Sequence, residues 1–277
     1  MEAILNHPAL LVKEKKRRIL AFSDLHIGWE ASLAEQGLHI PSQIDLFFNR
    51  IYELINLVNP TSILILGDIK QTIRRTAIGE WREVPLFFQK IHQLVSDILI
   101  IPGNHDGSIE SLIIKDVKIL PKTGYAVGDT GFVHGHAWFS VDILRCRRLV
   151  IGHIHPAIKP IVKGNSSSIQ QVWVKAKIDP ELMGAAFLKY KKIKVEGSVL
   201  DILKERFGVA VRISQLIIMP SFNDFIGGYL LNKLFDKQKH SRIYQGPLLR
   251  SGSIDLPNAE LHLLDGSYLG KVCQLSI

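Results

Sequence analysis

Three short apolar segments, separated by stretches with helical periodicity, constrain the fold of this chain more than any other feature. They are 18–22, 62–66 and 97–101, with the sequences RILAF, SILIL and DILII. Short continuous apolar runs of this kind predict strands that are buried on both faces. Strands that alternate with helices predict βαβ units and a largely parallel sheet.

The residues between these segments are spaced as in amphipathic helices. Within 41–58, apolar residues recur at helical spacing, with Pro41 suited to the first turn and Asn59-Pro60 suited to ending the helix. The same pattern recurs over 83–95. We therefore predict one helix after the first strand and another after the second.

Beyond the third segment the pattern changes to shorter strands with tight connections, which predicts mixed pairing. The predicted elements are strands over 125–127, 131–133, 149–151, 172–177 and 211–219, a polar loop over 163–168, and a hairpin over 260–275 around Asp265-Gly266. The charged segment 190–207 favours neither helix nor strand. We expect a single domain over 1–277, in which 1–160 carries the candidate ligands and 161–277 adds strands.

Composition indicates the class of protein and its expected location without identifying its function. Hydrophobic residues make up 47% and charged residues 22% of the chain, a balance typical of globular proteins. No apolar run is long enough to span a membrane, and the first residues do not resemble a signal peptide, so we expect a cytoplasmic protein. Cys146 and Cys273 form no C-x-x-C pair, so we expect both to be packing residues rather than ligands.

The charge balance favours a polyanionic partner. Lys and Arg exceed Asp and Glu by 34 − 26 = 8. Neutralising phosphates with basic side chains releases counterions, so an excess of this sign favours nucleic acid as a partner. Much of the excess lies in the clusters 13–18 and 189–194, and each of them is equally well explained as a solvated face.

Residues with side chains suited to bind metal ions follow the ends of predicted strands. The motifs are Asp24-Leu25-His26, Gly67-Asp68, Gly103-Asn104-His105-Asp106, His134-Gly135 and Gly152-His153-Ile154-His155. In open α/β sheets, sites form beyond the carboxyl ends of strands, so motifs that are distant in sequence can converge.

The spacing within two of these motifs indicates paired ligands. Asp24 and His26 are two residues apart, as are His153 and His155. In an extended strand or its continuation, residues i and i+2 point the same way, so each pair can offer two ligands to one place. We expect the intervening residues Leu25 and Ile154 to point into the core. A glycine before Asp68 or His153 permits a sharp turn.

The ligand types indicate which ions the motifs would bind. Carboxylate, imidazole and amide oxygen suit divalent ions such as Mn²⁺, Fe²⁺ or Zn²⁺. No thiolate joins them, which argues against a structural zinc site. A carboxylate such as that of Asp68 can bridge two ions, and two ions can hold a phosphate and share a hydroxide nucleophile.

Any one of these residues by itself has an ordinary structural explanation. An isolated histidine is more often a packing residue than a ligand, and a lone Gly-Asp is only a turn. The specificity comes from the ordered series of motifs, each at the end of a strand.

This series resembles the calcineurin-like metallophosphoesterase family. The resemblance implies an α/β fold of four layers, an α/β/β/α sandwich with two mixed sheets flanked by helices. It also implies two divalent metal ions, with Mn²⁺ expected first and Fe²⁺, Zn²⁺ or Ni²⁺ as alternatives.

The resemblance implies a role for each residue of the series. Asp24, His26 and His155 would hold the first metal, and Asn104, His134 and His153 would hold the second. Asp68 would bridge the two, with a metal-bridging hydroxide as the nucleophile. His105 would protonate the leaving oxygen, and Asp106 would hold the ring of His105.

One assignment has a competitor two residues away. His134 and His136 both lie in the segment 133–136, and a histidine followed by glycine matches the family better, so we assign His134 to the metal. His136 would then contact phosphate or simply pack.

Finer features resemble a bacterial and archaeal branch of the family. They are the segments 24–30, with sequence DLHIGWE, 66–70, with sequence LGDIK, and 220–223, with sequence PSFN, together with Gly37 and Pro41. The branch includes the ligase-associated DNA damage response endonucleases and archaeal relatives linked to a large helicase, which implies DNA repair and a helicase or ligase partner. It often has histidine after the lysine of the G-D-x-K segment, where this chain has Gln71.

Four residues near the motifs are candidates for substrate contact. Arg74 and Arg75 could clamp phosphate, Lys70 could neutralise it, and Trp29 could stack on a base. The alternative is that both arginines lie on a solvated loop and that Trp29 packs on the helix that follows it.

These observations lead to one favoured function and two alternatives. We expect a hydrolase of phosphodiester bonds in DNA or RNA, a nuclease in which His105 assists the leaving group. The first alternative is a small-molecule phosphatase or nucleotide phosphodiesterase with the same metals. The second is a metal-binding partner subunit without catalytic activity.

Overall fold

Two separate sheets organise the chain. The computed structural model describes residues 1–160, 168–231 and 246–275. By its internal contacts the chain divides into a first unit, 1–121 with 221–226, and a second unit, which has the remaining residues. Each unit has a sheet and a hydrophobic core of its own.

The sheet of the first unit has six strands in chain order. They are β1 (Glu2–Ala3), β2 (Leu10–Glu14), β3 (Arg17–Phe22), β4 (Ser62–Ile65), β5 (Ile98–Ile100) and β6 (Lys118–Ile119). The first three pair antiparallel, and β3 to β6 run parallel to their neighbours. The three strands predicted from apolar segments are therefore confirmed as adjacent strands of one sheet.

Three helices belong to this unit. They are α1 (Trp29–Ala34), α2 (Ile44–Val58) and α3 (Ile78–His92). Apolar residues of α2 and α3, such as Phe47 and Phe87, pack in one core with the buried strands. The two predicted helices are confirmed, with different bounds.

Local side-chain contacts explain where these helices begin. Helix α2 begins at Ile44, so Pro41 lies before the helix and not in its first turn. Helix α3 begins at Ile78 because the Glu80 carboxylate accepts the N–H of Ala77 at 2.7 Å, which satisfies a donor that the helix itself leaves open. The apolar periodicity alone does not reveal this contact.

The basic cluster 13–18 lies in a hairpin that the sequence pattern does not indicate. Strands β2 and β3 meet at a turn where Lys15 has a φ of 52°. Arg17 contacts Asp97 at 3.3 Å, and the Arg18 side chain donates to the carbonyl of Val58. At least two of these basic residues therefore have structural contacts.

The second unit contains a nine-stranded mixed sheet. Its strands are β7 (Tyr125–Val127), β8 (Thr130–Val133), β9 (Arg148–Ile151), β10 (Pro156–Ile158), β11 (Gln170–Ile178), β12 (Gln215–Ile218), β13 (Tyr229–Leu230), β14 (Ile254–Leu263) and β15 (Tyr268–Lys271). Strand β9 runs parallel to both β8 and β12, whereas β11 pairs antiparallel with β10, β12 and β14. The mixed pairing and the C-terminal hairpin are confirmed.

Helices cover part of this sheet. They are α4 (Pro180–Tyr190), α5 (Val199–Phe207) and the short α6 (Gly246–Leu249). The ambiguous segment 190–207 thus holds the last residue of α4 and the whole of α5, which Ser198 caps. The strand predicted over 211–219 is confirmed only as the shorter β12. The polar loop predicted over 163–168 lies outside the described residues except for Ser168.

The predicted fold class, α/β with two mixed sheets flanked by helices, is confirmed. That the two units form a single domain stays a prediction. Among the described helices, none is both long and apolar enough to cross a membrane.

Candidate metal centre

In the first unit, three of the motifs follow three adjacent parallel strands. Asp24 comes after β3, Asp68 after β4 and Asn104 after β5. Because parallel strands present their carboxyl ends at one edge of a sheet, the motifs share that edge. This is the convergence that the sequence predicts.

Backbone hydrogen bonds connect the loops after β3 and β4. The N–H of Asp24 donates to Gly67 O at 3.1 Å, and that of His26 donates to Asp68 O at 2.9 Å. The N–H of Ile27 donates to Ile69 O at 2.7 Å. The backbone that carries three of the predicted ligands is therefore fixed independently of any ion.

The four predicted ligands of the i, i+2 pairs do not lie on extended backbone, which corrects the strand-like geometry expected for them. Positive φ occurs at ten described residues other than glycine, and five of these are predicted ligands. The five angles are 61° at Asp24, 48° at His26, 51° at Asp68, 69° at His153 and 48° at His155. Left-handed backbone at non-glycine residues is uncommon and concentrates at functional sites.

The residue between each pair of ligands nevertheless packs as predicted. Leu25 is fully buried in the core of the first unit, and Ile154 is buried in the core of the second. With the left-handed backbone, the residue between two predicted ligands is still buried in the core, as was expected for an extended backbone.

The carboxylate of Asp68 lies at the centre of the first unit's site. Its Oδ1 accepts the backbone N–H of His105 at 2.9 Å. Its Oδ2 lies 3.7 Å from Nε2 of His26 and 4.0 Å from Nε2 of His105. Each residue of this group offers a ligand atom within 4.8 Å of the others, so the group could hold a metal ion.

Gly103 permits this arrangement because it has no side chain. A Cβ at residue 103 would lie 2.1 Å from Oδ1 of Asp68 and 2.5 Å from its backbone nitrogen. No real Cβ contact is that short, so any other residue here would displace the Asp68 carboxylate.

The structure shows which groups His105 and Asp106 contact. Nδ1 of His105 contacts the carbonyl oxygen of Gln71, so this nitrogen carries a proton and donates it. Asp106 accepts the N–H groups of Gly103 and Ile69, each at 2.8 Å, and is buried. A backbone carbonyl therefore holds the ring of His105, and Asp106 holds the two loops together; that Asp106 also holds this ring stays a prediction.

This contact does not depend on the side chain at residue 71, where the chain departs from the branch. The ring of His105 meets the backbone oxygen of Gln71 and not its side chain. Any residue at this position offers the same acceptor.

Two of the candidate substrate-contact residues have side chains that are engaged elsewhere in the protein. Lys70 is only 1% exposed, and its Nζ donates to the carbonyl of Thr72. Trp29 is 5% exposed, and its ring stacks on that of Phe225 with centroids 5.2 Å apart. Neither side chain is available to a substrate in this structure.

The arginine candidates lie on the loop between β4 and α3. Arg74 and Arg75 are both exposed. Their contact with substrate stays a prediction.

Ser221 and Asn223 support the first ligand loop, a role that the sequence motifs do not predict. The side chain of Ser221 donates to Asp24 O at 2.9 Å, and that of Asn223 donates to Leu25 O at 2.9 Å. Both residues are buried. Sequence alone marks them only through the P-S-F-N resemblance, because their partners lie almost 200 residues earlier.

Glu30, just beyond the same loop, is a buried acidic residue. Burial raises the pKa of its carboxyl above the usual range, although the N–H of Gln43 donates to it at 2.5 Å and acts in the opposite direction.

In the second unit, the remaining motifs follow two adjacent parallel strands. His134 comes after β8 and His153 after β9, and their ring centroids are 5.0 Å apart. The N–H of Gly152 donates to His134 O at 3.0 Å. His136 is 5.3 Å from His134, ring to ring, and is less buried than His134.

His155 is held from a different strand. Its carbonyl accepts the N–H of Tyr229, in β13, at 2.7 Å. A Cβ at residue 228 would lie 2.8 Å from the same oxygen, so Gly228 allows this approach.

The donor chemistry of both units fits divalent metal ions. The first unit offers two carboxylates and His26, and the second offers His134, His153 and His155. Within the first unit, ligand atoms of His26, Asp68 and His105 lie within 4.8 Å of one another, close enough to hold one ion. Carboxylate and imidazole are ligands of Mn²⁺, Fe²⁺ and Zn²⁺.

Comparison with known proteins identifies a family, and the similar solved structures include two distant ones. The sequence model described as calcineurin-like phosphoesterase matches residues 17–178. The nuclease MPE of Pseudomonas putida is 15% identical with a TM-score of 0.49, over 93% of this chain and 97% of that one. YfcE, a phosphoesterase from E. coli, is 16% identical with a TM-score of 0.34, over 55% of this chain and 86% of that one.

Neither structure is similar enough to bear on the substrate of this chain. No curated protein sequence is significantly similar to it.

Proposed function

The chain belongs to the calcineurin-like phosphoesterase family, and from this premise we propose that it is a two-metal nuclease that hydrolyses phosphodiester bonds in DNA or RNA. Family membership makes it a metal-dependent phosphoesterase. The nucleic-acid substrate, the two ions and the roles of individual residues belong to the proposal.

The observation that carries the proposal is the geometry of Asp68. One oxygen of this carboxylate is fixed by the N–H of His105, and the other faces two imidazole nitrogens. A carboxylate in this position is oriented to share an ion with His26. A net charge of +8 supports a polyanionic substrate.

The proposed ligands follow the order of motifs in the family. Asp24, His26 and His155 would hold one ion, and Asn104, His134 and His153 would hold the other, with Asp68 between them. Mn²⁺ is our first choice of ion because its ligands in proteins include carboxylate and imidazole. Bound ions of this kind lower the pKa of water and neutralise phosphate charge.

The residues of the chain would supply the remaining chemistry. The carbonyl of Gln71 accepts from Nδ1 of His105, which leaves Nε2 as the nitrogen that exchanges a proton. That nitrogen is directed to the side of Asp68, where a phosphoester oxygen would leave. His105 would therefore protonate or stabilise the leaving oxygen.

A screen of metals against substrates tests this proposal. We expect Mn²⁺ to support cleavage of single-stranded or duplex nucleic acid, with a steep fall in affinity as salt rises. Asp68→Ala serves as the blank, and Asp45→Ala, which changes an exposed carboxylate, serves as the matched control.

The other outcomes of the screen separate the alternatives. Cleavage of nucleotide monoesters or cyclic nucleotides without cleavage of nucleic acid would replace the nuclease by a small-molecule phosphoesterase. Bound metal with no turnover on any substrate would indicate a partner subunit that has lost catalysis.

A further inference from the structure

The second unit contains a cavity beside its histidine cluster. The cavity has a volume of about 610 Å³ and is lined by His136, Trp138, Lys189, Tyr190 and Arg250, among others. Pockets for small ligands have volumes of this order. None of the residues named so far as metal ligands lines it, so the cavity is a separate feature of the unit.

Two stacked aromatic rings form one wall of the cavity. The rings of Trp138 and Tyr190 are 5.4 Å apart, with 20° between their planes. Trp138 is half-buried and also packs edge-on against Phe139 and Phe187, which are buried. Tyr190 is 48% exposed. One face of the Tyr190 ring is covered by Trp138, and about half of the Tyr190 surface stays exposed, so a nucleobase can stack on this exposed part of the wall.

The mouth of the cavity is cationic. Lys189 and Arg250 are exposed side chains of its lining, and none of the described residues that line it is acidic. The Nζ of Lys191 lies 5.4 Å from the centroid of the Tyr190 ring. Lys191 thus packs on the aromatic wall from outside the cavity, and Lys189 is the basic residue of the cluster 189–194 among the described residues that line it.

The cavity adjoins the predicted metal ligands of its own unit. His136 lines it, and the ring of His136 is 5.3 Å from that of His134 and 6.2 Å from that of His153. The backbone around this junction is closely packed, because a Cβ at Gly246 would lie 2.4 Å from the carbonyl of Gly135. The spacing between cavity and histidines is therefore fixed.

We propose that this cavity binds a nucleotide adjacent to the scissile phosphodiester, with the base against Trp138 and Tyr190 and a phosphate near Lys189 and Arg250. The inference rests on the proposed function, since it names how that same site would grip its substrate. A strand of nucleic acid and a free nucleotide share this chemistry. We assign the strand, because the cavity adjoins the cluster where its phosphodiester would be held.

Variants of the aromatic wall and of the cationic mouth test the proposal. With Mn²⁺, we expect Tyr190→Ala to raise KM for a short oligothymidylate about tenfold, in the range that loss of one stacked base gives. Lys189→Ala should raise KM less and lower the salt dependence by about one phosphate contact. Tyr190→Phe, which keeps the ring, should behave as the wild type.

Matched substrates separate base stacking from general damage. Methyl p-nitrophenyl phosphate has the diester without a nucleobase, so its kinetics should stay within about twofold of wild type in every variant. An abasic oligomer of equal length keeps the phosphates, so Tyr190→Ala should match wild type on it. Thymidine monophosphate as a competitor distinguishes a free nucleotide from a strand, and we expect it to inhibit weakly.

Matched variants outside the cavity complete the design. Tyr268→Ala removes another exposed tyrosine, and Lys204→Ala removes another exposed helical lysine of the same unit. Both should leave KM for the oligonucleotide unchanged.

The cavity and the proposed function can fail separately. If the wild type cleaves the oligonucleotide and neither Tyr190→Ala nor Lys189→Ala changes KM, the cavity proposal is overturned and the nuclease stands. If the wild type cleaves only the small diester, the nuclease is overturned. Fluorescence anisotropy of a labelled oligonucleotide then decides about the cavity: weaker binding by Tyr190→Ala supports it, and equal binding overturns it.

Discussion

The backbone N–H of His105 donates to Oδ1 of Asp68 at 2.9 Å, so the residue proposed as the acid also orients the carboxylate proposed to bridge the ions. The contact uses the main chain of His105, and its imidazole lies on the other oxygen's side, 4.0 Å from Oδ2. Orientation of Asp68 and proton transfer therefore depend on different atoms of the same residue.

This separation predicts the behaviour of His105→Ala. The substitution keeps the N–H that orients Asp68, so metal affinity should stay near wild type. Loss of the imidazole should lower kcat by about 10²- to 10⁴-fold, the usual contribution of a general acid. Metal content by mass spectrometry and turnover of a phosphodiester check both parts. His39→Ala, at an exposed position, is the control, and normal turnover of His105→Ala would refute the assigned role.

Gly103→Ala should disturb the Asp68 carboxylate at the oxygen that the His105 N–H orients. The new Cβ would lie 2.1 Å from Oδ1, so either the carboxylate or the loop must move. Forced shifts in a packed interior cost about 1–3 kcal/mol of unfolding free energy. We expect weaker metal binding by calorimetry and a lower Tm.

The control for this variant is another glycine of the same unit. A Cβ at Gly79, in α3, meets no atom within 4 Å. Gly79→Ala should therefore leave metal affinity and Tm unchanged or slightly raised. Equal behaviour of the two alanine variants would show that Gly103 does not constrain Asp68.

Asn223→Ala should loosen the first ligand loop without touching a ligand. The side chain of Asn223 donates to Leu25 O and accepts the N–H of Phe225, both at 2.9 Å. Leaving a buried backbone group without its partner costs about 1–3 kcal/mol. We expect lower stability to urea and weaker metal binding. In Asn258→Ala, which changes an exposed asparagine bonded to Asp255, both should match wild type.

The buried carboxyl of Glu30 gives the fold a pH dependence of known sign. Its pKa is raised by burial, so the folded state favours the protonated form, and the resulting stability is lost as pH rises through that pKa. Glu30→Gln removes the charge and keeps an oxygen for the N–H of Gln43. The variant should have a higher Tm than wild type at pH 8, and the difference should shrink as the pH falls. A constant difference across pH would contradict this account.

Much of the first sheet could be predicted because its strands carry their own signal. Continuous apolar runs such as 62–66 have no solvent face, and such runs fit a strand covered on both sides. The ligand motifs were found for a related reason, since each follows one of these runs. The three apolar runs are confirmed as strands β3, β4 and β5, whereas β2 and α5 were not predicted.

The features that spacing does not predict are side-chain contacts that form only when the chain folds. Lys70 looked like a surface cation, yet its stem is buried and its ammonium bonds the nearby Thr72 carbonyl. Trp29 looked like a stacking platform, yet Phe225 occupies its face. Neither partner is visible from spacing, because tertiary packing determines which face of a side chain stays open.

The left-handed ligands were missed for a different reason. Asp and His residues such as Asp24 and His153 do not prefer positive φ strongly enough for it to be predicted from sequence. Hydrogen bonds between neighbouring loops stabilise this conformation. An i, i+2 pattern fits an extended loop and this one equally well.

Residues 221–226 belong to the first unit, so this unit can finish folding only after these residues have been synthesised. The ribosome synthesises the first 121 residues long before it adds Asn223. Until then the nascent first unit lacks the side-chain donor that bonds the Leu25 carbonyl oxygen. Closing a loop of 198 residues carries an entropic cost and comes late. The first ligand loop is therefore completed only after most of the second unit has emerged, and a fragment that ends at Pro121 would carry this loop in an immature form.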